Sequence, residues 1–150
     1  WILSETLHSG FDTLRKGSGY SVAQIKIYGL RSHLDHHKTQ ISDSINACVM
    51  DALDFPKGKR AHRFIALDPS DFYYPEGRSE QYTIIEISMF EGRSIETKKK
   101  LIHRLFERLQ ADVNIAPADV EITIFETPRH NRGFRGQTGD EINLDYKVEI

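Results

Sequence analysis

Apolar residues fall four apart in two stretches of the chain. The first holds Ile41, Ile45, Val49 and Leu53 with Ala52 beside them; the second holds Leu101, Leu105 and Leu109, flanked by Ile102 and Phe106. That spacing lays a stripe along one side of a helix, wide enough to face a sheet. Each stretch follows a short run rich in β-branched residues and gives way to a proline, Pro56 or Pro117. A further run then follows, Arg63 to Leu67 after the first proline and Val120 to Phe125 after the second. The order predicted is strand, helix, strand, and then the same again.

The two halves also repeat in detail. The first copy runs Gln24-Ile25-Lys26-Ile27-Tyr28-Gly29-Leu30-Arg31-Ser32, and the second runs Ile85-Glu86-Ile87-Ser88-Met89-Phe90-Glu91-Gly92-Arg93-Ser94, with Gln24 aligned on Glu86. In both, a strand ends at a turn carrying glycine and then Arg-Ser. Arg31 and Arg93 stand 62 residues apart, 93 minus 31. Ser32 and Ser94 occupy N-cap positions, where their oxygens would accept from the free amides of the first turn.

Two consecutive β-α-β units define an α+β domain with a four-stranded mixed sheet and two helices on one face; each crossover is expected to be right-handed. Units at 22–70 and 82–128 are followed by a C-terminal loop and strand at 129–150. Residues 1–21, with the polar stretch Arg15-Lys16-Gly17-Ser18-Gly19, read as an appendage outside the core. Ile84, Ile85, Ile87 and Ile122, Ile124, Phe125 are apolar on both strand faces, so the open sheet face calls for a second cover. A partner subunit is the natural one, because several hundred Å² of apolar surface would otherwise meet water. From Glu141 to Ile150 apolar and polar residues alternate strictly, a half-buried strand suited to pairing across a subunit boundary.

Paired β-α-β units with an arginine after each first strand resemble the tautomerase superfamily, which includes 4-oxalocrotonate tautomerase, malonate semialdehyde decarboxylase and macrophage migration inhibitory factor. The second half carries most of the likeness, from Glu86 to Ser94, through Val120 to Pro128, to the loop Asn131-Arg132-Gly133-Phe134-Arg135-Gly136. The first half matches more loosely, through Ala23-Gln24-Ile25-Lys26-Ile27, and the likeness spans about 22–136. It implies a homotrimer and cofactor-free, metal-independent isomerase or lyase chemistry on a small 2-keto or unsaturated carboxylate. In that family an N-terminal proline amine acts as base, acid or nucleophile, and arginines hold the substrate carboxylate.

Carried onto this chain, the resemblance makes Arg93 and Arg31 the catalytic arginines and Arg132, Phe134, Tyr28 and Phe90 the substrate-binding set. For the arginines the alternative is a solvated charge at a strand end; for Tyr28 and Phe90 it is core packing. Three positions depart from the family pattern. The proline position falls at Ser21, which has no free amine inside a chain; a start at Val22 or Ala23 would expose a primary amine instead. Glu121 stands where some members have arginine. Arg132 stands where many members have the pocket-closing aromatic, with Phe134 two residues on. The alternative function is therefore a non-catalytic oligomeric or ligand-binding member that lost proline chemistry.

Composition narrows the remaining choices. A net charge of −2 provides no general field for nucleic acid or an acidic membrane. The basic runs Lys57–Arg63 and Arg129–Arg135 lack a stacking-aromatic motif, and a pocket for a small carboxylate accounts for them better than RNA does. No apolar run approaches the roughly 18 residues that span a bilayer, and the expected compartment is the cytoplasm. Cys48, within the first apolar stripe, reads as a buried, inert thiol. His33, Asp35, His36 and His37 read as a solvated first helical turn rather than a metal site, because no third ligand has a firm spacing. The loop Asp71–Gly77 reads as an aromatic segment packing over the sheet or a neighbour.

Overall fold

A computed structural model describes residues 23–142 and 149–150. Strand β1 (Gln24–Leu30) runs straight into helix α1 (Arg31–Leu53), and β2 (Ala61–Leu67) follows. The second unit has β3 (Thr83–Phe90), α2 (Ile95–Val113) and β4 (Val120–Thr127). A small hairpin of β5 (Gly133–Phe134) and β6 (Gln137–Thr138) follows. The expected α+β architecture is present: a four-stranded sheet of order β2-β1-β3-β4, with β1 parallel to β2 and β3 parallel to β4.

The two units meet through antiparallel β1 and β3, where Ile25 faces Ile87. These two residues are also equivalent in the repeat, so the local two-fold relating the units passes between them. One consequence decides where chemistry can occur. Equivalent residues away from this pair, such as Tyr28 and Phe90 or Arg31 and Arg93, are sent toward opposite ends of the sheet.

Ile25, Ile27, Ile85, Ile87 and Met89 point to the helix side and pack with Leu34, Ile41, Ile45, Leu101 and Leu105. Gly29 lets α1 come this close, since a Cβ there would sit 3.1 Å from Leu34 Cγ. The helices are tied by Ser44 Oγ donating to Asp112 Oδ2 at 2.8 Å. Both end on a left-handed residue that tolerates that conformation, Asp54 (φ 56°) and Asn114 (φ 60°). Cys48 is buried in this core, which pushes its thiol up to about 11.

Three details differ from the sequence reading. Ser94 caps α2 as expected, accepting from the Thr97 amide at 3.1 Å, but Ser32 caps nothing. Strand β1 passes into α1 without a turn, so Leu30 is the capping residue and Ser32 falls within the first turn. His33 is not solvated: it is buried and its Nε2 meets Thr83 Oγ1 at 3.2 Å. Burial, and then His37, lower its pKa to about 4 against an opposing pull from Asp119. The open sheet face is more polar than the strands suggested. Alongside Ile65, Ile84 and the exposed Phe125 it carries Lys26, Glu86, Ser88 and Thr123.

The loop after β2 packs over the sheet end as expected, with Phe72 stacked on Tyr82 at 5.8 Å. The appendage at 1–21, including Ser21, and most of the expected C-terminal strand (143–148) lie outside the described residues. Among the described residues no helix is long and apolar enough to cross a membrane.

Candidate active site

β1 and β2 begin, and β3 and β4 end, at the same end of the sheet, and side chains with chemical potential gather there. Phe90, the last residue of β3, is 1% exposed because the segment 129–139 folds over it. Phe134 lies 6.0 Å from its ring, and the guanidinium carbons of Arg132 and Arg129 lie 4.8 and 5.9 Å from it. Arg129 holds the segment down, donating from Nε to Gly139 O at 3.0 Å and from Nη2 to Ile142 O at 2.6 Å. Gly139 is where the closure is tightest. A Cβ there would stand 2.4 Å from Arg129 O and 2.9 Å from Phe90 Cζ. The β5–β6 hairpin turns through Arg135 (φ 55°) and Gly136 (φ 77°). Outside it lies a depression of about 350 Å³, lined by Gly133, Phe134, Gly136, Gln137, Thr138 and Glu141.

Arg93 enters from the other side of Phe90. Gly92 (φ 132°) turns the chain so that Arg93 folds back, 5% exposed, and donates from Nη1 to Phe90 O at 3.0 Å. Its guanidinium lies 5.4 Å above the ring of Phe55, at the end of α1. A solvated charge is therefore ruled out for Arg93. Next to it, the Ile150 carbonyl accepts from the Ser94 amide at 2.7 Å and from Thr97 Oγ1 at 2.9 Å. Lys98 pairs with Glu126 at 2.8 Å behind the site. Cationic groups thus concentrate at one end of a chain whose net charge is −2.

Arg31 belongs elsewhere. It sits at the opposite sheet end, 55% exposed, pairing with Asp68 Oδ1 at 3.2 Å and donating to Ala66 O at 3.1 Å. Tyr28 lies on the open face, its hydroxyl donating to Glu86 Oε1 at 2.7 Å, which raises its pKa. Tyr28 is thus neither core nor beside Phe90. Glu121, where some family members have arginine, accepts from Tyr82, whose burial and this bond push it up to about 12. Of the residues singled out in sequence, Phe90, Arg93, Arg132 and Phe134 come together, while Arg31 and Tyr28 do not join them within one chain. Phe55 and Gly139 went unremarked, and Arg129 figured only as the start of a basic run. That run held the signal for Arg129.

Aromatic rings and guanidinium groups thus pack together at this sheet end, an arrangement that favours an anionic group. Guanidinium groups can grip a carboxylate with two parallel hydrogen bonds. Among the described residues no group of three or more His, Cys, Asp or Glu is placed to hold a metal ion.

Comparison with known proteins agrees with the architecture. Residues 59–135 match the family described as tautomerase enzymes. The chain belongs to that family. Among solved structures, a malonate semialdehyde decarboxylase inhibited by 3-bromopropiolate is similar at 28% identity, covering 74% of this chain and 88% of its own, with a TM-score of 0.67. A second malonate semialdehyde decarboxylase, described as having decarboxylase and hydratase activities, shares 22% identity over 76% of this chain and 92% of its own, TM-score 0.69. Native fused 4-OT shares 18% identity over 79% and 98% of the two chains, TM-score 0.71, and other fused 4-OT proteins are described as trimers.

Proposed function

We propose that this protein is a metal-independent isomerase or related lyase acting on a small 2-keto or unsaturated carboxylate. The observation that carries the reading is the buried Arg93, held between Phe90 O and the Phe55 ring beside the Phe90–Arg132–Phe134 cluster. Arg93 binds the carboxylate and stabilises the enolate that develops when a proton leaves C3, while the two phenylalanines hold the substrate body. A donor aimed at developing charge commonly contributes about 10²- to 10³-fold in rate. The similar malonate semialdehyde decarboxylases and fused 4-OT proteins support this substrate class.

We further propose that the protein works as a homotrimer in the cytoplasm. Arg31 and Tyr28 can reach a pocket of this kind only from another copy, since the antiparallel β1–β3 pair sets them away from Phe90. The trimeric fused 4-OT structures favour three copies.

Ketonisation of 2-hydroxymuconate and tautomerisation of phenylpyruvate, followed by absorbance, test the reading. Wild-type turnover with at least a hundredfold loss in Arg93→Ala is expected. Activity unchanged by that substitution would remove Arg93 from the site. The second reading, a ligand-binding member without catalysis, is favoured by one observation: the family's proline position is Ser21. A native chain that keeps residues 1–21 and turns over neither substrate would establish it. A free amine at Val22 or Ala23, found by mass spectrometry, would speak for catalysis.

A further inference from the structure

At the same sheet end, Lys59 is 5% exposed, although Lys57, Gly58 and Arg60 around it are all exposed. Lysine is almost never buried to this extent on a loop. The turn that does it is explicit. The Lys59 amide donates to Pro56 O at 3.3 Å, and Gly58 takes φ 91°, swinging the next residue back toward the sheet.

The strand register says what Lys59 is swung toward. Ala61, Gln24, Ser88 and Phe125 form one row across the four strands. Lys59 precedes β2 by two residues, at the same sheet end where Phe90 and Thr127, register partners, close β3 and β4. The strands at whose ends Lys59 and Phe90 lie, β2 and β3, are two strand spacings apart, about 10 Å between backbones. The four-carbon lysine stem covers much of that gap. The loop that bears Lys59 also bears Phe55, which lies under the Arg93 guanidinium.

We propose that Lys59 is a nucleophilic amine of this site, forming an imine with the carbonyl carbon of a 2-oxo carboxylate held by Arg93. The inference rests on the keto-carboxylate reading given above and names the amine that the reading lacks. The Lys59 nitrogen lone pair attacks C2. The C2–O bond then breaks, and the oxygen leaves as water with the two hydrogens of the amine. The imine nitrogen takes a proton from solvent, and the resulting iminium draws electrons from C3. A C3 proton departs to give an enamine, a proton returns, and water releases the keto acid and restores the amine. No oxidant, reductant or metal enters. Buried lysine amines are suited to this chemistry.

Trapping tests it on the full chain. The protein is treated with sodium borohydride in the presence of phenylpyruvate, and its peptides are mapped by mass spectrometry; tautomerase activity is measured on the same preparation. A reduced adduct on Lys59 is expected with phenylpyruvate but not with phenylacetone, which has no carboxylate. Lys59→Arg should abolish the adduct while keeping the cation. Arg93→Gln should keep Lys59 and raise the phenylpyruvate concentration for half-labelling at least tenfold. Labelling of Lys98, Lys99 and Lys100 as strong as that of Lys59 would overturn the proposal. So would an active enzyme with no Lys59 adduct, which leaves the isomerase reading standing. An adduct on an inactive protein would uphold Lys59 and remove the isomerase reading.

Discussion

Burial sets the protonation of His33 and His62, and with it the response of this fold to acid. His33 is held neutral to about 4 by burial and by His37, opposed by Asp119, and it meets Thr83. His62 is lowered to about 4 by burial and Arg60, opposed by Asp43, and lies 2.7 Å from Ser42 Oγ. In the unfolded chain both bind a proton near the usual value of about 6.5. Between about 6.5 and about 4 the unfolded chain therefore holds more protons, and falling pH favours it. The stabilisation is complete above that window and gone below it. For His33 the loss is on the order of 3 kcal/mol at about 1.4 kcal/mol per pKa unit. Denaturant titrations at pH 7 and pH 4.5 should show the difference, and His33→Gln should shrink it. A second residue-scale prediction concerns Gly139. Gly139→Ala places a Cβ against Arg129 O and Phe90 and should cost about 1–3 kcal/mol, read as a lower midpoint, with Phe90 becoming more accessible. Neither feature was legible in the sequence. His33 and His37 at helical spacing do not reveal that Thr83, 50 residues on, faces one of them. Gly139 is tight only because a loop and a strand end from far apart in the chain meet there.

The elements themselves were largely legible, because apolar spacing states which side of a helix is buried. Ile41, Ile45, Val49 and Leu53 and then Leu101, Leu105 and Leu109 are all in the core. The caps show where such reading stops. Ser32 and Ser94 stand alike in sequence, yet only Ser94 precedes its helix, because Gly92 breaks the second strand while β1 continues directly into α1. Ser94→Ala should therefore cost about 1 kcal/mol, as loss of an N-cap does. Ser32→Ala should cost less than about 0.5 kcal/mol, as surface changes usually do. Thermal midpoints of the two variants check the contrast. The arginines carry the same lesson to the site. A sequence repeat assigns Arg31 and Arg93 the same local surroundings, but antiparallel pairing of β1 with β3 sends them to opposite ends. Only Arg93 is left with Phe90, Arg132 and Phe134.

At the scale of the molecule, the helices cover one sheet face, and the proposed trimer would cover the other. That face mixes Ile65, Ile84 and the 47% exposed Phe125 with Lys26, Arg63 and Glu86, a composition suited to an interface held by both packing and charge. Sedimentation equilibrium at micromolar concentration should give three times 17.3 kDa, and Phe125→Arg should lower it. A stable monomer would remove any pocket shared between copies. Carbon-acid chemistry on a keto carboxylate is proposed to occur at the Phe90 end of the sheet, under Arg93. It is tested most directly by NMR, following exchange of the C3 protons of phenylpyruvate in deuterated water with wild-type protein, Arg93→Ala and Arg31→Ala. Wild-type protein should catalyse the exchange, Arg93→Ala should slow it at least a hundredfold, and Arg31→Ala should slow it less than Arg93→Ala does. Exchange that is no faster with wild-type protein than without it, or that survives Arg93→Ala undiminished, would contradict this proposal.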